Sequence, residues 1–180
     1  MLCKKHRGRG NALLSQSPVA RDPDIETFRS DALNCPLPPS IELIGERWAF
    51  LILRGAFNGL RHFEQFQAGL GIARNILSNR LARLVEGGIL ERRSDPSDRR
   101  KVIYSLSAKG EALFPVLIAL RQWGQDWGHG KTNILLADKR DGIPVRRIRV
   151  QGADGRDLTL GEVMWIDRAS GKPLKPSSLE

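Results

Sequence analysis

The chain has 180 residues, enough for one domain of about 100–150 residues with extensions, or for two small ones. Hydrophobic residues make up 41% and charged residues 27%, an ordinary globular balance, and no run approaches the roughly 18 apolar residues of a membrane span. The net charge of +9 is spread as +2, +4 and +3 over residues 1–35, 36–128 and 129–180, and it favours a polyanionic partner through attraction and counterion release.

Cys3 and Cys35 are the only cysteines. They exclude a disulfide framework and a four-thiolate metal site, and they suit a reducing cytosol, so the cytoplasm is the expected location. Ala12-Leu13-Leu14 is too short for the apolar region of a signal peptide, whereas the lack of acids before Asp22 leaves a transit peptide open on charge alone.

Residues 1–34 mix Lys, Arg, Gly, Ser, Pro and Asp without periodicity and are expected to form a disordered leader. Cys35-Pro36-Leu37-Pro38-Pro39 marks a boundary, with Pro39 or Ser40 placed to start a helix. The pattern then turns helical from Ile41 through Trp48 and Leu51-Ile52-Leu53 to a stop at Asn58-Gly59. Phe63, Phe66 and Leu70 predict a short amphipathic helix that closes at Gly71. Over residues 73–86, Ala73, Leu77, Leu81, Leu84 and Val85 share one helix side. Asn75, Ser78, Asn79 and Ala82 share the other, flanked by Arg74 and Arg83, and Gly87-Gly88 ends the helix.

The period then changes. Ile89–Arg93 and Lys101–Leu106 read as two strands joined through Asp95-Pro96-Ser97-Asp98, a hairpin with a basic tip. Ser107 is a plausible N-cap for a helix over 108–128, through Leu113, Leu117, Leu120, Trp123 and Trp127, bent by Pro115. Beyond Gly128-His129-Gly130, residues 144–150 and 158–166 look strand-like, so 131–180 is expected to be a small β-rich appendage. The predicted fold is mainly α with a β-hairpin, a winged helix-turn-helix over 35–128 followed by that extension.

Such an order places one polar helix where it fits the major groove of duplex DNA. Asn75 and Asn79 suit adenine edges, Arg74 and Arg83 suit guanine edges or phosphates, and Ser78 serves either. Arg99, Arg100 and Lys101 sit at the wing tip, where they can meet backbone phosphates or a narrow minor groove. The competing reading is a solvated amphipathic helix in a protein-interaction module, its basic charge serving solubility. His6, His62 and His129 lack ligand spacing, and there is no Gly-rich phosphate loop or nucleophile elbow, so no metal, cofactor or catalysis is expected.

The blocks Cys35-Pro36, Ile41–Trp48 and Leu51–Arg54, then Arg61–Phe66 and Gly71-Ile72, then Leu77–Leu84 and Tyr104–Gly110, resemble the HxlR family of bacterial winged-helix regulators. The likeness covers roughly residues 35–127. It implies a transcriptional regulator, not an enzyme, with repression favoured over activation, and a homodimer on a pseudo-palindromic operator in double-stranded DNA. Its interface would use the helix around residues 39–45 and the long helix at 108–128, here Ile41, Ile44, Leu113, Leu117, Leu120 and Trp123; the pattern alone equally allows these residues to roof the monomer core. Cys35 stands where some relatives carry an oxidant or electrophile sensor, a role that needs an accessible thiolate.

Two departures matter. Ala73 replaces the family's usual Ser at the recognition-helix N-terminus, a loss of about 1 kcal/mol unless another group caps it. The wing Asp95–Arg100 looks more like that of the related MarR family, implying a firmer phosphate grip. Some family members also carry a tail that resembles a zinc ribbon. The equivalent turns here, Gly152–Gly155 and Asp167–Gly171, hold no Cys, so the expectation is either a metal-free remnant packed by Val150, Leu160, Val163, Trp165 and Ile166 or a disordered tail.

Overall fold

The computed structural model describes residues 35–128 and 132–173. The leader expected over 1–34 lies outside the described residues.

Helix α1 (Leu37–Ile44) starts earlier than Pro39, with Pro36 as its N-cap and proline in its first turn. The missing proline N–H falls where no helical partner exists, so the prolines begin the helix instead of delaying it. The apolar run read as one helical stretch from Ile41 to Asn58 is in fact broken. Glu46 adopts an extended conformation (φ −89°, ψ 142°) and opens α2 (Arg47–Phe57). Helix α3 (Phe63–Leu70) is entered through Gln65 Oε1, which accepts from the backbone N–H of Arg61 and of His62 at 2.9 and 3.0 Å. It closes at Gly71, whose φ of +61° is a left-handed turn that glycine adopts without strain. Helix α4 (Arg74–Glu86) follows after one short turn, and Ala73 provides no side-chain cap.

Strands β1 (Leu90–Ser94) and β2 (Val102–Leu106) pair antiparallel with Leu90 opposite Leu106 and Ser94 opposite Val102. The expected single helix over 108–128 is two. Ser107 Oγ accepts from Gly110 N–H at 3.0 Å to cap the short α5 (Ala108–Glu111), and α6 (Phe114–Trp127) begins afresh. Pro115 lies in the first turn of α6, where its absent N–H has no helical partner to lose.

Periodicity becomes packing in one core. Phe66, Ile52, Leu53, Leu77, Leu81, Leu84, Ile89 and Leu90 are fully buried, drawn from α2, α3, α4 and the entry to the wing. Burial of this kind is the main stabilising term of a small domain.

Contacts group Pro36–Val163 as one compact unit, which takes in residues 132–163. Polar bonds to α6 hold them. Gln122 Nε2 donates to Arg146 O at 3.2 Å, Ile148 N–H donates to Gln122 Oε1 at 2.9 Å, and Arg147 grips Asp126 with both terminal nitrogens. Gln122 thus acts on residues 146–148 as a neighbouring strand would.

The β character of this stretch is limited to isolated bridges, Ala137 with Pro144 and Gln151 with Asp157. The second unit, whose described residues are Cys35 and 164–173, contains the bridge Ile166–Pro173. Val150, Leu160 and Val163 of the first unit are exposed, and so are Trp165 and Ile166 of the second. Asp-centred turns shape the backbone of both stretches. Asp138 accepts from Arg140 N–H and Gly142 N–H, and Asp167 accepts from Ser170 N–H and Gly171 N–H.

Candidate nucleic-acid interface

Helix α4 divides its residues as the periodicity predicts. Leu77, Leu81 and Leu84 are buried, while Arg74, Asn75, Ser78, Asn79 and Arg83 are exposed. Arg74 opens the helix with its guanidinium carbon 5.0 Å from the centre of the Phe63 ring, a cation–π contact that steadies a long side chain at the start of α4. Lys109 Nζ donates to Gly87 O at 2.9 Å beyond the other end, where a cation complements the helix dipole.

Arg83 differs from its neighbours. Its Nη1 lies 3.0 Å from Glu46 Oε1 and its Nη2 donates to Glu42 O at 3.4 Å. Arg80, one turn earlier, pairs with the other oxygen of the same carboxylate. Sequence reasoning missed Glu46 and Arg80, because 34 positions of chain separate two residues that only the packing of α1 and α2 on α4 brings together.

The wing is organised by a carboxylate that looked only like turn chemistry. Asp95 is largely buried, and its Oδ1 accepts from the Ser97 hydroxyl at 2.6 Å and the Ser97 N–H at 2.8 Å. Its N–H donates to Lys101 O at 3.0 Å and closes the loop. His62 Nε2 stands 3.6 Å from Asp95 Oδ2, and His62 Nδ1 lies 3.2 Å from Val102 O, so the wing base is fastened to the entry of α3. Around this base Arg99, Arg100 and Lys101 are exposed; Arg100 and Lys101 both lean on Asp98, at 3.3 and 3.9 Å.

The Ser97 hydroxyl, then the Ser97 N–H, with a smaller pull from His62, hold the Asp95 carboxyl below its ordinary value against the opposing effect of desolvation. A lowered folded value makes the stabilisation full above the unfolded value of about 3.9, and it is lost as the pH falls through the folded one. In denaturant titrations the parent should therefore be more stable than Asp95→Asn above about pH 4, with the gap narrowing below it. A gap that widened on acidification would contradict this role.

The expected interface residues separate into two groups. Ile41, Leu120 and Trp123 are exposed, Trp123 at 61%. Ile44 is part of the core, Leu113 packs against it, and Leu117 is half-buried. Cys35 is a half-buried free thiol one residue before the N-cap of α1. Among the described residues no three His, Cys, Asp or Glu side chains are placed to hold a metal, and no helix is long and apolar enough to cross a membrane.

A core helix, a helix-turn-helix of α3 and α4, and a two-stranded wing immediately after it define the class: a winged helix-turn-helix protein. The model of the HxlR-like helix-turn-helix family matches residues 43–132, and the chain belongs to that family. An HTH-type transcriptional regulator of Mycobacterium tuberculosis, Rv3095, is 46% identical over 88 residues, 49% of this chain and 56% of that protein. The chain therefore spans about half the length of these mycobacterial relatives. The Synechocystis regulator sll1512 is 37% identical over 107 residues, covering 59% of this chain and 76% of its own. The solved structure of PA1607, a candidate transcription factor, superposes with a TM-score of 0.71 at 37% identity, covering 78% of this chain and 99% of that one. The relatives that this chain resembles over that stretch carry the name of HTH-type transcriptional regulators.

Proposed function

We propose that this chain is a sequence-specific DNA-binding regulator, more readily a repressor than an activator, that acts as a homodimer on a pseudo-palindromic operator. One observation carries the reading. The exposed face of α4 presents Arg74, Asn75, Ser78 and Asn79 in two adjacent turns, and the basic tip Arg99-Arg100-Lys101 follows it directly. The helix would lie in the major groove, with the wing on flanking phosphates or in the minor groove. Pairing of two copies is supported by apolar surface left open on α1 and α6, where Ile41, Leu120 and Trp123 are joined by Phe114, Val116 and Trp127.

Selection of bound duplexes from a random DNA pool tests the reading, and an inverted repeat with half-sites about one helical turn apart is expected. Failure to bind any duplex at low salt would overturn it in favour of a protein-interaction module. Arg99→Ala should weaken binding across all sequences and reduce the salt slope by about one unit. Sensing at Cys35 belongs to the same proposal: an electrophile should alter operator binding by the parent, and equal responses from the parent and Cys35→Ser would remove Cys35 from that role.

A further inference from the structure

The Glu46 carboxylate, like Asp98 at the wing tip, opposes DNA at the edge of the candidate interface. Glu46 occupies the N-cap of α2 yet makes no side-chain capping bond there, so its carboxylate reaches across to α4. One oxygen takes Arg80 and the other takes Arg83 at 3.0 Å. The two guanidiniums are not equivalent. Arg80 is the less exposed, at 23% of its side chain against 48% for Arg83, and its Nε is buried without a partner among the described residues. Arg80 therefore depends on Glu46, whereas Arg83 has solvent as an alternative. A carboxylate satisfies a guanidinium through the same planar geometry as a phosphate.

We infer that Glu46 is a specificity-determining residue that holds Arg83 away from DNA phosphates until a well-fitted site displaces it. The inference rests on the DNA-binding reading above. On random duplex, the gain from one loosely placed phosphate does not exceed the loss of the Glu46 pair, so Arg83 stays paired and adds nothing to non-specific affinity. On the operator, base contacts from α4 fix the phosphate position, and Arg83 exchanges partners. Glu46 thus lowers binding to the wrong sequences more than to the right one, which is specificity by penalising competitors.

Glu46→Gln isolates the charge. Its single carbonyl oxygen would remain with Arg80, and its amide donors would face Arg83 and release it. The probes are a random-sequence duplex and the best duplex selected from the random pool, each titrated across salt. On random duplex the variant's salt slope should steepen by about 0.9, so that its advantage over the parent shrinks roughly threefold between 50 and 200 mM salt. The ratio of operator to random affinity should fall, and Glu46→Gln with Arg83→Gln should restore the parental slope.

A parental slope in Glu46→Gln, or a steeper slope that survives removal of Arg83, overturns the inference. Should Glu46→Gln fail to fold, Arg83→Gln in the parent still decides. It should weaken operator binding and leave the random-duplex slope unchanged, while a drop of about 0.9 on random duplex would mean that Arg83 already contacts phosphate there. A parent that binds no duplex at low salt overturns the DNA reading itself, and this inference with it.

Discussion

Phe66→Ala is expected to lower the stability of the domain by about 3–5 kcal/mol, a large part of the 5–15 kcal/mol typical of a whole domain. Phe66 is fully buried on α3, between the helix that closes the core and the turn that aims α4. Its ring lies against Gly55 of α2, where even an added Cβ would meet ring carbons at 3.1 and 3.2 Å, so the helices already touch and cannot collapse far into the space a deleted ring leaves. The same vacancy would loosen the support under the Gly71 turn, so DNA binding should decline together with stability. Equilibrium unfolding in urea measures the loss. A change below about 1 kcal/mol would mean that α3 packs less decisively than its burial indicates.

The second large effect concerns recognition. Asn79→Ala and Arg74→Ala should each cost about 1–3 kcal/mol on the selected operator if they read base edges, and each should relax preference at a different base position. Both residues are exposed, and Asn79 lies beside Ser78 on the face opposite Leu77 and Leu81, so neither variant removes core packing. Arg74→Ala also gives up the contact over the Phe63 ring, which makes a small stability change expected for that variant alone. Competition binding against single-base variants of the operator separates the roles. Unchanged base preference in both proteins would leave α4 as a phosphate-binding helix only.

Much of the scaffold was legible because helix period is a strong local signal. Phe63, Phe66 and Leu70 announced α3, and the opposition of Leu77, Leu81 and Leu84 to Asn75, Ser78 and Asn79 announced both the core face and the candidate reading face of α4. The hairpin was legible from the change to strand character around Asp95-Pro96-Ser97-Asp98. Less was legible where local signals compete. Prolines near residues 36–39 and at 115 read as a delay and a bend, yet each initiates a helix, since only the position within the helix decides whether a missing N–H matters. In the tail, alternation of apolar residues indicates extended chain without supplying a partner strand, and the pairing seen among its described residues is limited to isolated bridges.

By itself the sequence determined the buried faces of α3 and α4, the hairpin that follows and the basic tip of the wing, since these depend on side-chain period and turn chemistry within about ten residues. Only the tertiary structure decided which charges are available. It tied Arg83 and Arg80 to Glu46 and placed Asp95 against His62. It also placed Ile44 in the core, and it showed why Gly110 has no side chain, since a Cβ there would run into the Ile89 carbonyl. The physical reason is common to all of these. Ion pairing and close packing act over a few ångströms between segments tens of residues apart, and no local period encodes that distance.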